Sequence, residues 1–547
     1  MLLAVGGWVG LQPVAVRGGA GSAPRIAYAT AIDQRSDSVA DVAADAAGNL
    51  WLVGSTANLA FPITSDAADP VRAMYDDGYV AKLDADGALV YATYLGGSAF
   101  NCIGGAAIDE DGNVYLAGTT TSTDFPVSGS AVQSVAPGGA GDGFLAKLDS
   151  AGHLLHATYF GGTGYESCPG RGYPVASIAL GPGGAVYVVI GSTNSTQFPA
   201  GGAERARSDA DGLVARFDRD LRPIWGRFIG GSFVDQMTRV ATDAAGSVYV
   251  TGTVARELGQ SHDFPTTPGA LQTTTESDLA PVLLKFTPSG DVVYATFLTA
   301  TRGSSGSRWY PNLAVAADGT AYVAVLTGSP DMPVTPGAFA VAPRGATDAF
   351  IFAVQPDGAG LRYGTYLGGS AEEQAHLTLP AIALDDAGQV ALGLATLSSD
   401  FPLRDAFDTT RPTTSVVAKL AADGRALVYA SYLRQGAHAL AHRAGALFAG
   451  GQNIAPTGSG IGAVKIDETA AACAGDCDGD RTVRVNELVT GVRIALGELA
   501  TGACAVFDGD GDGTVSIAEL IGAVGALLNG CANEIAHQPL TGSPPQR

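Results

Sequence analysis

Two twelve-residue stretches carry the densest chemistry in the chain: DCDGDRTVRVNE at Asp476–Glu487 and DGDGDGTVSIAE at Asp508–Glu519. Each has Asp at positions 1, 3 and 5 and Glu at position 12. A hard cation such as calcium takes about six to eight oxygens, and this spacing wraps three carboxylates, a backbone carbonyl and a bidentate Glu around one ion. The predicted ligands are Asp476, Asp478, Asp480, Thr482 (through its carbonyl) and Glu487, then Asp508, Asp510, Asp512, Thr514 (likewise) and Glu519. Two calcium ions are therefore expected; an acidic solvated turn would not repeat the pattern twice. Position 6 is Gly513 in the second loop and Arg481 in the first. A non-Gly residue at that sharp turn costs about 1–3 kcal/mol, so the first loop is expected to bind more weakly.

Each loop runs into a helical pattern. NELVTGVRIALG places Leu488, Val492 and Ala495/Leu496 on one stripe and stops at Gly497; AELIGAVGALLNG does the same with Leu520, Val524 and Leu527/Leu528. Neither loop is preceded by a helical pattern. A loop–helix pair repeated without entering helices resembles a type I dockerin, over about Cys473–Cys531. The resemblance implies a protein partner of cohesin type, often held by hydroxyls at loop positions 10 and 11. Those positions are Val485-Asn486 and Ile517-Ala518 here, which departs from the pattern and leaves an apolar surface for this or another partner.

Four of the six cysteines, Cys473, Cys477, Cys504 and Cys531, lie in this small module. A module with little core gains from disulfides, and an oxidising compartment permits them; three pairings are open. Soft-metal binding is the rival reading, but the module has neither a Cys-x-x-Cys pair nor a His. Cys102 and Cys168 fall in matching loops of adjacent repeats and form a third candidate disulfide.

A second set of candidates lies in the loops SAFNCIGG, GTGYESCPGRGYPV, GSFVDQM, GSSGSRWYPN and GSAEEQAHL. Tyr165, Arg171, Tyr173, Arg308, Trp309 and Tyr310 are aromatic and cationic side chains of the kind that stack on sugar rings and fix hydroxyls. Glu166, Asp235, Glu372 and Glu373 are the nearby carboxylates from which a glycoside hydrolase would need a pair about 5–10 Å apart. His376 belongs to the same loops. The competing reading is a plain solvated loop face.

These loops are positioned by a repeat. Seven hairpins align at Asp45, Asp109, Gly181, Asp243, Ala316, Asp385 and His442, spaced 57 to 73 residues apart. Gly at each turn supplies φ > 0, and the flanks alternate as half-buried strands do. A second anchor recurs as Phe61-Pro62, Phe125-Pro126, Phe198-Pro199, Phe264-Pro265, Met332-Pro333 and Phe401-Pro402, which reads as an apolar plug under a rigid loop. A third strand of the GYVAKLDADG type and a fourth of the ALVYATYLGG type follow. Four strands make one propeller blade. The seventh copy ends after its third strand at Val464–Asp467, and its missing fourth strand matches RIAYATAI at Arg25–Ile32. The N-terminal strand is therefore expected to close the ring and cover an otherwise open edge. YATYLGG, DEDGNVYLAGTT, DFP and DGFLAKLD together resemble the bacterial seven-bladed beta-propeller (SBBP) repeat over roughly residues 25–467. That resemblance implies architecture and a surface or secreted setting, without an activity.

The expected organisation is an apolar N-terminal segment at 1–24, a seven-bladed all-β propeller at 25–468, a dockerin-like calcium module at 473–531 and a flexible tail at 532–547. The N-terminal segment is short and lacks a basic start; it reads as a clipped signal peptide or as sequence ahead of a later start site. With 75 Gly and only 15% charged residues in 547, the composition suits short strands and tight turns. A net charge of −22 argues against nucleic acid, and no apolar run is long enough to span a membrane. No lipase-type serine, zinc-protease or phosphate-loop motif occurs. Two functions remain open: a secreted or cell-surface binding and scaffold protein, monomeric, with a glycan at the propeller face; or a propeller glycoside hydrolase or lyase carrying a dockerin.

Overall fold

The computed structural model describes residues 24–33, 38–72, 75–166, 176–198, 210–257, 259–300, 310–373, 380–410, 415–455 and 458–468, and in the C-terminal part 475, 477, 483–500, 503–504, 507 and 514–529. The chain divides into two compact units, one holding Ile26–Ile466 and the other Asp467–Arg547.

The first unit is an all-β, seven-bladed propeller. A first strand, β1 (Arg25–Ala31), precedes blade 1, which comprises β2 (Ser38–Ala44), β3 (Leu50–Thr56), β4 (Asp77–Leu83) and β5 (Leu89–Leu95). Blade 2 comprises β6 (Asn101–Ile108), β7 (Val114–Thr120), β8 (Asp142–Leu148) and β9 (Leu154–Phe160), and blade 3 comprises β10 (Ala176–Gly181), β11 (Ala185–Thr193), β12 (Asp211–Phe217) and β13 (Pro223–Ile229). Blade 4 follows with β14 (Gln236–Thr242), β15 (Val248–Ala255), β16 (Leu279–Phe286) and β17 (Val292–Phe297), and blade 5 with β18 (Asn312–Val315), β19 (Ala321–Thr327), β20 (Asp348–Val354) and β21 (Leu361–Leu367). Blade 6 holds β22 (Ala381–Leu384), β23 (Val390–Ala395), β24 (Ser415–Leu420) and β25 (Leu427–Leu433). In the seventh sheet β26 (Ala439–Arg443), β27 (Ala446–Ala455) and β28 (Gly458–Asp467) pair in that order, and the fourth strand is β1, beside β28. The first strands of all seven blades touch in sequence round the ring, with β26 returning to β2.

The repeat's residues explain the packing. The first aromatic of five of these fourth strands, Tyr28, Tyr91, Trp225, Tyr294 and Tyr363, lies on the turn between third and fourth strands of the following blade. A Cβ at Gly152 would stand 2.4 Å from the Tyr91 ring, and one at Gly87 would stand 2.5 Å from Tyr28, so only glycine lets the blades close. Tyr91 Oη donates to Gly152 O at 2.9 Å, and Trp225 Nε1 does the same job to Pro288 O at 3.0 Å. Tyr28, on β1, thus packs on blade 1 in the way Tyr91 packs on blade 2. The second tyrosine stays within its blade: Tyr94, Tyr159, Tyr366 and Tyr432 donate to the carbonyls of Asn58, Ser122, Ser329 and Ser398. This hydroxyl holds the loop carrying the Phe-Pro anchor. The anchors are apolar plugs, as the sequence suggested: Phe61, Phe125, Phe198, Phe264, Met332 and Phe401 are all buried. Phe125 stacks on Phe144 with centroids 4.3 Å apart.

The second unit contains two short helices, α1 (Val485–Ala495) and α2 (Ile517–Asn529), which pack on each other around Ile494, Phe507, Val515 and Ala523. The stripe predicted for α1 is split: Leu488 packs on this small core, while Val492 and Leu496 are exposed. With Gly491 against the Phe507 ring and Ile494 inside, the contact face turned by one position toward the smallest residue. Likewise Val524 is exposed on α2, and Ala523 supplies the buried contact. No helix among the described residues is long and apolar enough to cross a membrane.

Candidate functional site: the loop face and the acidic loops

Loops entering a blade and loops between its second and third strands share one face of the propeller, because strands alternate direction. Glycine pairs after the fourth strands of blades 1, 2, 3 and 5 let the loop of one blade run against its neighbour. Ser98 N–H donates to Asp124 Oδ1 at 2.8 Å, Ser232 N–H to Asp263 at 2.9 Å and Ser370 N–H to Asp400 at 2.8 Å. These three acceptors are the Asp of the Asp-Phe-Pro anchors. The backbone donors hold the Asp124 and Asp400 carboxyls below the usual carboxylate range.

Three of the four candidate acids are not on this face. Glu166, Asp235 and Glu373 are buried in the seams between blades. Glu166 Oε1 accepts from Thr193 Oγ1 at 2.7 Å and Ser195 Oγ at 2.5 Å. Glu373 Oε1 accepts from Thr396 Oγ1 at 3.0 Å, Ser398 Oγ at 2.5 Å and Gly369 N–H at 3.1 Å. Asp235 accepts from Gly231 N–H at 2.5 Å and Ala255 N–H at 3.0 Å; burial, opposed by these donors and reinforced by Asp211 and Asp263, pushes it up to about 7. Only Glu372 is exposed. Two carboxylates facing a sugar across a cleft are therefore not what these residues provide.

Of the predicted rim, Tyr165 and Tyr310 lie among the described residues; Arg171, Tyr173, Arg308 and Trp309, like His376, lie outside them. Tyr165 has its backbone pinned on both sides, bridged to Gly141 and donating to Asn194 Oδ1 at 2.5 Å, with its ring 37% exposed. Tyr310 enters blade 5, two seams away, and is half-buried. Sequence reasoning missed another pair: Tyr75 and Phe100, from neighbouring blades, stand 4.6 Å apart and are 47% and 44% exposed. Phe100 stands in the SAFNCIGG loop, and its partner Tyr75 comes from a separate loop 25 residues earlier, so only the folded ring brings them together.

Also unforeseen is a polar lock across the ring axis. Bulges interrupt β2 between Val39 and Asp41 and β14 between Met237 and Arg239. Arg239 then reaches from blade 4 to Ala40 O of blade 1 at 3.5 Å and to Asn312 Oδ1 of blade 5 at 3.2 Å. Asp41 accepts from Ala106 N–H of blade 2 at 3.2 Å; burial raises its carboxyl, and the nearby Arg239 charge opposes the shift. Four blades are thus tied by two charged side chains.

In the second unit, the predicted ligands Glu487, Thr514 and Glu519 are described; Asp476, Asp478, Asp480, Thr482, Asp508, Asp510 and Asp512 lie outside the described residues, as does Arg481. Glu487 is buried and accepts from Cys477 N–H at 2.7 Å and Arg484 N–H at 2.8 Å. Glu519 accepts from Ser516 N–H at 2.7 Å. Cys477 and Cys504 form a disulfide with Cα atoms 5.0 Å apart, which selects one of the three open pairings. Cys102 is disulfide-bonded. Cys168, Cys473 and Cys531 lie outside the described residues, as do residues 1–23 and 530–547.

Residues 90–126 match the SBBP beta-propeller repeat. That segment carries YATYLGG, DEDGNVYLAGTT and DFP, the strand, turn and plug whose packing is described above. Similar solved structures include the Cps50 (Swd1) beta-propeller domain of Myceliophteria thermophila, at 10% identity and a TM-score of 0.39, covering 81% of this chain and 99% of that one. BamB from Moraxella catarrhalis is similar at 14% identity and a TM-score of 0.34, with 81% and 99% covered. A puromycin hydrolase is similar at 13% identity and a TM-score of 0.39, with 83% of this chain and 55% of that one covered. No curated protein matches the chain.

Proposed function

We propose that the chain is an extracellular binding or scaffold protein: a propeller closed by its N-terminal strand, joined to a calcium-stabilised, dockerin-like module. The observation that carries the binding reading is the disposition of acids and aromatics on the loop face. The carboxyls a hydrolase or lyase would use are buried in seams, whereas Tyr75, Phe100 and Tyr165 present exposed rings from well-held backbone. Flat apolar rings beside polar loops suit a glycan of a secreted polymer. The alternative, a propeller glycoside hydrolase or lyase, draws no support from Glu166, Asp235 or Glu373.

For calcium, support comes from the spacing of the two loops and from Glu487, whose carboxylate accepts from Cys477 N–H within the loop that it ends. Asp476, Asp478, Asp480, Thr482 and Glu487 would hold one ion, and Asp508, Asp510, Asp512, Thr514 and Glu519 the other. A cohesin-like partner fits the apolar residues at positions 10 of the two loops: Val485 is 66% and Ile517 77% exposed, in line with Val489 and Ile521 on their helices. The Cys477–Cys504 disulfide suits a secreted setting.

A glycan array probed with the full chain tests the binding reading. Retention on a defined polysaccharide, lost in Tyr75→Ala and Phe100→Ala with unchanged melting temperature, is the expected result. Product release from the same polysaccharide would replace it with the enzyme reading. Calorimetry with calcium should give two ions bound per chain; no uptake at millimolar calcium removes the calcium module.

A further inference from the structure

Three blade seams bury a carboxyl against a hydrogen-bonding partner in one recurring arrangement. The third strand of a blade opens with Asp (Asp77, Asp142 or Asp348), which faces a side chain from the entry of the next blade. At the seam between blades 1 and 2 that partner is Asn101. Its Nδ2 donates to Asp77 Oδ1 at 3.1 Å, while its Oδ1 accepts from Thr120 Oγ1 at 2.6 Å and Ser122 Oγ at 3.1 Å. Between blades 2 and 3 the partner is Glu166, whose Oε1 accepts from Thr193 and Ser195; between blades 5 and 6 it is Glu373, whose Oε1 accepts from Thr396 and Ser398. The Thr-x-Ser pair is the same each time. What changes is the atom aimed at the aspartate: an N–H in Asn101, a carboxyl oxygen in Glu166 and Glu373.

That oxygen needs a hydrogen. Glu166 Oε2, Asp142 Oδ1 and Glu373 Oε2 are buried without a donor. A Cβ at Gly161 would lie 2.8 Å from Glu166 Oε2 and 3.6 Å from Asp142 Oδ1, and one at Gly368 would lie 2.5 Å from Asp348 Oδ1 and 2.6 Å from Glu373 Oε2, so both oxygens of each pair border the space beside one glycine. Two ionised carboxylates cannot share such a space in low dielectric. Asp348 is also supplied from the backbone, Oδ2 accepting from Arg344 N–H at 2.6 Å and Oδ1 from Gly345 N–H at 3.1 Å. A buried space of this kind suits one proton better than the shell of about six to eight oxygens that calcium takes. We propose that Asp142–Glu166 and Asp348–Glu373 each hold one shared proton at neutral pH, and that these protons latch blade 2 to blade 3 and blade 5 to blade 6, so that alkaline conditions loosen both seams.

The charges around the pairs agree. Among the described residues, Asp142 and Glu166 face each other, the two hydroxyls and the backbone donors of Gly138 and Gly162. Arg344, whose backbone N–H donates to Asp348, has its guanidinium engaged with exposed Asp400 at 3.1 Å. Burial foremost, and the neighbouring carboxyl, push Asp142 up to about 7; burial foremost, with Asp348 adding to it, pushes Glu373 up to about 7. Unfolded carboxyls lose their protons near pH 4. Folded Asp142 and Glu373 keep theirs to about 7, so the latches weaken as pH rises across that window and are open above it.

The test is thermal and kinetic unfolding of the full chain and of the double variant Glu166→Gln/Glu373→Gln between pH 5 and pH 9. Glutamine places an N–H where Asn101 has one. The net charge of −22 destabilises the wild type at alkaline pH by itself, so the reading is the difference between the two proteins. The wild type should unfold faster at pH 9 than at pH 5, and the variant should reduce that ratio by at least about tenfold, the equivalent of one pKa unit. The wild type should also show a stronger protonated-carboxyl infrared band at neutral pH than the variant, in which Asp235 and Asp41 remain. An unchanged ratio, or a band of equal strength in the two proteins, overturns the proposal. So does a calcium-dependent stabilisation of the wild type that the variant loses, which would make the seams cation sites.

Discussion

The propeller seams and the C-terminal loops use the same residue, aspartate, in opposite ways. In the seams, acidic side chains in the loop entering a blade are supplied with donors by the folded loops and strands around them: hydroxyls of Thr193 and Ser195, or backbone N–H groups of Gly231 and Ala255. In the loops, acids at every second position outnumber the donors a short turn provides, and nine acidic against three basic residues over 473–531 leave the module at −6. The proposed cation in the loops and the proposed proton in the seams follow from that difference. A carboxylate's role is thus decided by what its surroundings donate, which differs between a large closed ring and a two-helix module.

The sharpest way to break this comparison is to open the ring. Deleting residues 25–32 removes β1, with Tyr28 from its seat on Gly87 and the Ile32 N–H from Ile461 O. The loss should exceed about 5 kcal/mol, more than one buried aromatic, and expose β28 to aggregation. Deleting residues 1–20 should leave melting and light scattering unchanged. If both truncations melt alike, the closing-strand reading fails.

Next come the inter-blade aromatic keys. Trp225→Ala should lower stability by about 3–5 kcal/mol in chemical denaturation, because its buried ring spans two blades. A loss under about 1 kcal/mol would mean that the blades are held mainly by their polar seams.

The Asp211–Asp235 seam offers a pH test. Asp235 is raised to about 7, with burial the largest cause, so stability falls as pH climbs from near 4, where unfolded carboxyls ionise, to about 7. The contribution is on the order of 2–4 kcal/mol over that range, at about 1.4 kcal/mol per unit. Asp235→Asn should flatten that part of the melting-temperature profile, and an unaltered profile would place the titration elsewhere.

In the module, chelating calcium should reduce helical signal from Val485–Ala495 and Ile517–Asn529 while the propeller's melting stays fixed. Glu519→Gln should weaken one site by about tenfold or more in calorimetry and leave the other bound. The smallest effect belongs to the exposed face: Tyr165→Ala should change stability by no more than about 0.5 kcal/mol while reducing retention on the glycan that the array identifies.

The turn glycines with Asp or Asn beside them, the alternation of the strands and the Phe-Pro plugs were legible along the chain, because each depends on neighbours within a few residues. So were seven blades with a final strand at the far end. The seams were not. Glu166 and Glu373 looked like rim acids because nothing nearby in sequence announces Thr193-x-Ser195 or Thr396-x-Ser398 arriving from another strand.

By itself, then, the sequence determined the repeat, its turns and the acidic loops' spacing, since backbone preference and side-chain period are local. Only the tertiary structure decided that Glu166, Asp235 and Glu373 are buried, that Arg239 reaches Ala40 across the ring, and that Ala523 rather than Val524 meets the helix partner. Burial and donor supply depend on which surfaces close against each other, and closure brings together residues far apart in the chain.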